Sequence, residues 1–381
     1  MKEWKTYKVG DICSSISETY KSKSKSVVLI NTSDVLEGRC LNHEFVPNKD
    51  LKGQFKKVFK FGDILYSEIR PANKRFAYID FDATDYIAST KLMVLRNNDK
   101  VTNRFLYHYL KSESTIAELQ ALAESRSGTF PQITFSELSQ LEISIPDIET
   151  QLAISSFIDT LESKIELNRQ INDNLEQQAQ ALYKSWFVDF EPFKDQEFVE
   201  SEFGLIPEGW HCTTLSELLS IKYGKDHKKL AEGIIPVYGS GGLMRYVDTK
   251  LHEGEAVLIP RKGSLNNVMY VNEAFWTVDT MFYSIPKQEY FCIYAYLFLA
   301  NKDLASMNAG SAVPSMTTDI LNNMHIIAPH AEVLKRFNNI CNVYFSRINQ
   351  NNIENANLSK QRDTLLPKLM SGELKINKID C

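Results

Sequence analysis

No apolar run in this 381-residue chain approaches the roughly 18 residues that a membrane-spanning helix requires, so no membrane role is expected. The N-terminal MKEWKTYKVGDI holds no apolar stretch of the kind a secretory leader needs. Six cysteines (Cys13, Cys40, Cys212, Cys292, Cys341 and Cys381) are scattered without C-x-x-C spacing, which argues against disulfides or zinc and fits a cytoplasmic protein. Catalytic signatures are missing as well. There is no G-x-x-x-x-G-K-[ST] phosphate loop, no Asp/Asn-Pro-Pro-aromatic tetrad, no glycine-rich cofactor loop and no H-x-x-x-H. Gly239–Gly242 lacks the phosphate-binding lysine and reads as a tight turn, and Asp189-Phe190-Glu191-Pro192-Phe193 resembles the tetrad only in composition. Glu162-Ser163-Lys164 with Asp147 upstream has the composition of a nuclease motif, but it falls in a helix where these side chains do not converge. No catalytic residue, no metal site and no cofactor bound by this chain are expected. The net charge of −5 gives no global basic surplus, so any contact with nucleic acid must be local.

What the sequence does contain is itself, twice. Trp4–Ile12 aligns with Trp210–Leu218, Phe61–Tyr66 with Glu253–Leu258, and Gly128–Thr134 with Ser311–Thr317, at offsets of 206, 192 and 183 residues. From Pro146 onward the offset stays at 183 without a gap. Two copies of so long a unit mean a duplicated protein with a pseudo-twofold relation, not a solenoid. In each copy a variable globular part precedes a constant helical part.

The helical parts follow heptads. Ile154, Ile158, Leu161, Ile165, Asn168, Asn172, Leu175, Ala179 and Leu182 alternate by four and three, and so do Phe337, Cys341, Tyr344, Ile348, Asn351, Asn355, Leu358, Arg362 and Leu365. Asn168, Asn172, Asn351 and Asn355 recur at matching seam positions; a seam asparagine fixes register, because a slipped pairing leaves its amide unpartnered, although solvent-facing positions are the plainer alternative. Residues 148–200 hold 4 basic against 11 acidic groups, and residues 330–381 hold 8 against 5, which favours the two helices pairing with each other. Antiparallel packing suits the pseudo-twofold. Aromatics crowd the first helix end at Tyr183, Trp186, Phe187 and Phe190, and Leu366, Leu369 and Met370 close the second. Such apolar ends need a surface to land on, the chain's own globular domain or a partner subunit, and the two are compatible.

The expected fold is therefore α+β: 1–147 a first mixed domain, 148–190 a heptad helix, 191–204 a linker, 205–329 a second mixed domain and 330–376 the second heptad helix. Strand-like runs include Val27–Ile30, Ile64–Tyr66, Lys91–Leu95, Ala256–Ile259, Val268–Val271 and Thr280–Tyr283, with helices near 103–111 and 291–301. On these domains, local basic groups are the candidates for DNA. Lys21, Lys23 and Lys25 alternate with serine; Lys52, Lys56 and Lys57 alternate with phenylalanine; Lys225, Lys228 and Lys229 cluster in the second domain. Such stripes track phosphates, or are ordinary solvated faces. Arg70, and Arg261 with Lys262 at the corresponding place, follow a strand, where arginine reads guanine edges or forms a salt bridge. Arg126, Ser127, Thr129 and Ser311 offer phosphate donors or form plain turns.

The order of domain, helix ending LYKSWFVDFEP, domain, helix ending RDTLLPKLMSGEL resembles the DNA-specificity subunit of type I restriction–modification systems. Ile235–Gly242, Val257–Ser264 and Phe275–Thr280 carry the likeness further, whereas the first domain departs from it, with Ser67-Glu68-Ile69-Arg70-Pro71 in place of Pro260-Arg261-Lys262-Gly263-Ser264. The resemblance implies two target-recognition domains, each reading half of a bipartite site in double-stranded DNA, with the helices as a ruler. It implies docking of two methyltransferase subunits through the helix ends and a restriction/translocase subunit beyond them; S-adenosylmethionine, ATP and Mg2+ would serve those partners. Two rivals stand beside it: a self-sufficient methyltransferase–nuclease, which the missing motifs disfavour, and a coiled-coil bridging protein that binds no DNA.

Overall fold

The computed structural model describes residues 4–22, 24–49, 51, 53–126, 130–307 and 315–376. Two helices of 40 residues, Ile148–Phe187 and Ala331–Met370, start and end 183 residues apart. The first starts where the Asp147 carboxylate accepts the Thr150 amide at 3.1 Å, satisfying an N–H that has no partner within the helix. The second stops before Gly372, at φ +77°, a left-handed conformation that glycine adopts without penalty. The chain divides into two compact units, Met1–Leu167 with Ile353–Cys381 and Asn168–Asn352. Each unit thus owns one globular domain and part of both helices.

Within each unit the helical segments run antiparallel along the predicted seam. In the first unit Glu162 lies 3.7 Å from Arg362 and Lys164 lies 3.6 Å from Glu354. In the second, Trp186 packs on Phe337 with ring centroids 5.8 Å apart, and Asn351 Nδ2 donates to Asn172 Oδ1 at 2.8 Å. Asn172 Nδ2 in turn donates to Asn352 Oδ1 at 2.9 Å. Asn168 is buried and Asn355 half-buried. Ile154, Ile158, Ile165, Ala179, Phe337 and Cys341 are buried, while the off-seam Leu152, Leu167, Val343 and Ile353 are exposed.

Both globular domains are built on one frame. Lys5–Lys8 pairs antiparallel with Glu142–Ile145, and His211–Thr214 with His325–Ala328, closing each domain at its base. The first domain then orders strands Cys13–Ile16, Leu92–Asn97, Ile64–Ser67 and Phe76–Tyr78. The second orders Leu219–Tyr223, Met281–Pro286, His252–Pro260 and Met269–Thr277 in the same way, extended by Ile235–Gly239 and Gly242–Val247. Leu95 sits opposite Ser15 and Ile64, and Ser284 opposite Ile221 and Val257. In both domains one strand runs parallel to its neighbour: Ser26–Ile30 to Tyr86–Ser89, and Ile235–Gly239 to Met269–Thr277.

This pairing corrects two expectations. Ile64 corresponds to Val257 and not to Ala256, an offset of 193 rather than 192. Both segments are buried on both faces, so no alternation of polar and apolar residues fixes their register in sequence. Consequently Arg261 matches Glu68, and Arg70 matches Gly263, the latter two both in the left-handed region at φ +43° and +86°. The first domain also carries a helix the sequence did not reveal, Glu113–Arg126, whose polar composition hides a stripe of Ile116, Leu119 and Ala123.

Candidate nucleic-acid interface

In the second domain three loops gather around the turn Val278–Thr280. The Lys225 amide donates to Thr277 O, and Trp276 Nε1 donates to Lys225 O, each at 2.9 Å. From the other side, the amides of Arg261 and Lys262 both donate to Thr280 O, at 2.9 and 3.2 Å. Asn267 Nδ2 donates to Ser240 O at 2.9 Å, which joins the Arg261–Asn267 loop to the Gly239–Gly242 turn. Arg245 Nη2 donates to Leu230 O at 3.0 Å and holds the loop bearing Lys228 and Lys229 beside them. Lys225, Lys228, Lys229 and Lys262 are exposed. Arg261 is half-buried: its guanidinium lies 5.6 Å from the centre of the Tyr223 ring, and Nη1 donates to Asp279 O at 3.1 Å. A cation held over an aromatic face loses little entropy on meeting a ligand.

The first domain repeats the arrangement with different side chains. The Glu68 amide donates to Lys91 O at 3.0 Å, as Arg261 does to Thr280 O, and Ile133 N donates to Glu68 O as Met316 N does to Arg261 O. Lys91 lies 3.6 Å from the Glu68 carboxylate and donates to Gln132 Oε1 at 3.1 Å. Arg70 is exposed beside this turn. The Tyr20 amide donates to Lys56 O at 2.8 Å, and the Asn48 amide to Lys25 O at 2.9 Å, so the loop with exposed Lys21 and Lys25 runs against the strand of exposed Lys56.

One candidate is corrected. Lys57 Nζ donates to Thr90 O and Leu92 O at 3.1 and 2.8 Å; it is half-buried, and burial lowers its pKa, so it staples two strands and is not a free phosphate contact. Arg126 is exposed and pairs with Glu137 at 2.6 Å, and the Glu137 carboxylate also accepts the Thr134 amide, so this arginine braces a turn while staying open to solvent. Lys23, Lys52, Ser127, Thr129 and Ser311 lie outside the described residues.

The helix ends land at home. Tyr183, Trp186 and Phe187 are buried in the second unit's core with Tyr294 and Trp210, and half-buried Phe190 packs on the same cluster. Leu366 and Leu369 are buried in the first unit's core, with half-buried Met370 beside them. Side chains committed to a core cannot present a docking face, which corrects the expectation that Tyr183, Trp186, Phe187, Leu366 and Leu369 hold a partner subunit; Phe190 and Met370 keep part of their surface open.

Among the described residues, His108, Asp159 and Glu162 alone group closely enough to suggest a metal. The donor chemistry does not fit one. His108 Nε2 donates to Asp159 Oδ1 at 2.8 Å, Arg104 Nε donates to Asp159 Oδ2 at 2.9 Å, and Glu162 meets both Lys111 and Arg362. Three cations already answer two carboxylates, and a divalent ion would add to the surplus. Burial pushes the His108 pKa down to about 4 and that of Lys111 to about 8, the latter against the pull of Glu162. Burial works against the Asp159 carboxylate, but hydrogen bonds from His108 and Arg104 outweigh it and hold the group at about 2. The cluster is a clasp joining the Asn103–Leu110 helix to both long helices.

The sequence model for the type I restriction modification DNA specificity domain matches residues 1–177 and 207–358. The chain is 33% identical to the type I restriction enzyme HindI specificity subunit of Haemophilus influenzae, over 98% of this chain and 100% of that protein. It is 25% identical to the MjaIX specificity subunit of Methanocaldococcus jannaschii, over 88% of this chain and 82% of that one. The crystal structure of a type I restriction-modification S subunit from M. genitalium shares the fold, with a TM-score of 0.57 at 19% identity, covering 97% of this chain and 96% of that one. Among the described residues no helix is long and apolar enough to cross a membrane.

Proposed function

The chain belongs to the type I restriction-modification DNA specificity family, and on that premise we propose that each globular domain reads one half of a bipartite site in duplex DNA. The two long helices set the spacer between the halves. The observation that carries the reading is a single backbone frame, used twice, with different chemistry around the same turn: Lys91 paired to Glu68 in the first domain, and Thr280 beside Arg261 over Tyr223 in the second. A shared frame fixes how each domain approaches the duplex, and divergent loops let the two read different bases. Exposed Lys21, Lys25, Lys56, Lys225, Lys228, Lys229 and Lys262 supply phosphate contacts, and Arg70 and Arg261 contact base edges.

The chain performs no chemistry of its own in this reading. Two methyltransferase subunits bring S-adenosylmethionine, and a restriction/translocase subunit uses ATP and Mg2+, in the cytoplasm. With the aromatic helix ends spent in the cores, docking falls to the outward faces of the helices, where Leu152, Leu167 and Val343 are exposed.

The test is genome-wide adenine methylation in a host with and without this gene, its methyltransferase partner present in both. A split motif that requires the gene supports the reading. Identical methylation, together with no salt-dependent binding of duplex by the purified chain, would leave the bridging-protein alternative. Exchanging residues 1–147 for another such domain should change one half of the motif only, and deleting two heptads from each helix should shorten the spacer.

A further inference from the structure

Resting on that reading, we propose that the hairpin tip of the second domain enters the major groove and reads thymine through its methyl group, with Leu243 and Met244 as the contacts. Ile235–Gly239 and Gly242–Val247 form a hairpin turning at Ser240-Gly241, with a bulge between Val237 and Tyr238. A bulge at a rim re-aims the strand that follows it, and the major groove admits a two-stranded ribbon. The tip carries Leu243 at 51%, Met244 at 56% and Tyr246 at 46% exposure. Two loops that bear cations are tied to it: the loop of Lys262 through Asn267 Nδ2, which donates to Ser240 O, and the loop of Lys228 and Lys229 through Arg245.

The first domain presents a matching edge. Leu29 lies opposite Ile87 and Val237 opposite Trp276 in the matching parallel pairs. On the other side of these strands Phe45 lies opposite Val28 and Tyr246 opposite Pro236. Phe45 is 56% and Tyr246 46% exposed, so both domains offer an apolar side chain to solvent on this edge, and the second domain adds Leu243 and Met244 to it. A protein partner would not call for lysines on both neighbouring loops, whereas a polyanion with apolar groups in its groove would. The thymine 5-methyl is such a group, and apolar side chains are its usual contacts.

The experiment takes the full chain and the duplex defined by the methylated motif, with deoxyuridine replacing thymidine in one half at a time. Uracil differs from thymine by the methyl alone. Wild type should bind the duplex with uracil in the second half roughly three- to fivefold more weakly, the value of one buried methyl. L243S and M244S should each reduce that discrimination and together abolish it, while any effect of uracil in the first half stays as in wild type. Lys225→Ala, a phosphate contact, should weaken both duplexes equally and lower the salt slope by about one. A second half-site without an A·T pair, an unchanged preference for thymine in the double variant, or no preference in wild type overturns the proposal. In each case wild type still favours its own motif over a scrambled duplex. If it shows no such preference, the DNA reading itself has failed.

Discussion

The two units solve one packing problem with opposite chemistry. In the first, the helix Asn103–Leu110 meets the long helices through Arg104, His108, Lys111, Asp159, Glu162 and Arg362. The helix Cys292–Ala300 starts 189 residues later and the second long helix 183 residues later. Those offsets put Ile293, Leu297, Ala300, Asn342, Phe345 and Ala179 at the equivalent positions. Ile293, Leu297, Phe345 and Ala179 are core residues, and Phe345 packs against Tyr270 and Tyr296 with ring centroids 5.0 and 5.7 Å apart. A buried ionic network and an apolar contact can be close to equal in net stability. They differ in how they fail. The apolar junction degrades by cavities, one side chain at a time, whereas the ionic one fails when any partner leaves its opposite charge stranded.

The sharpest way to break the comparison is to graft one junction's residue into the other. Glu162→Phe should destabilise the first unit by about 3–5 kcal/mol, because Lys111 stays buried without its counter-charge. Adding Lys111→Ala should recover most of that loss, since both members of the pair then match the second unit. Denaturant unfolding, followed by hydrogen exchange in each unit, checks both, and a double variant no better than Glu162→Phe alone would mean that the pair is not the cause.

Protonation should separate the units next. His108 is held near 4 in the folded chain against an ordinary 6.5. Between those values the unfolded chain binds the extra proton, so the contribution is complete above 6.5 and is lost as pH falls, by about 3 kcal/mol near pH 4. The depressed Asp159 adds a further loss below its ordinary value, toward about 2. Protection of Asn103–Leu110, taken relative to the intrinsic exchange rate at each pH, should therefore fall between about pH 7 and about pH 5 well beyond the change at Cys292–Ala300, and His108→Leu should remove the difference.

How much of this was legible in the sequence follows from distance along the chain. The long helices were readable because a heptad repeats every few residues and Gly372 marks the stop. The aromatic helix end was visible, but the choice between its two landing places was not, because Tyr294 and Trp210 come from another part of the chain. The ionic clasp was invisible for the same reason: its members span residues 104 to 362, and no local pattern unites them. The basic stretches were visible as composition, yet Lys57 turned inward and Arg126 paired along the surface, because backbone carbonyls and a carboxylate that stripe-reading ignores lay within reach.

The smallest effect tests the register that the sequence missed by one residue. If Arg70 and Gly263 are equivalent, they should respond oppositely to exchange. Gly263→Ala places a Cβ at φ +86° and 2.7 Å from Ser240 Oγ; it should cost about 1 kcal/mol, lowering the Tm by a few degrees. Arg70→Gly relieves a non-glycine residue at φ +43°. Its Tm should hold or rise slightly, because relief of the left-handed conformation and the added freedom of the unfolded chain nearly cancel. Duplex affinity should nevertheless fall, because a side chain kept in a strained backbone on an exposed loop is retained for what it touches and not for stability. Equal loss of stability at both positions would mean that Arg70 belongs to the fold, and the equivalence would then extend to the backbone but not to function.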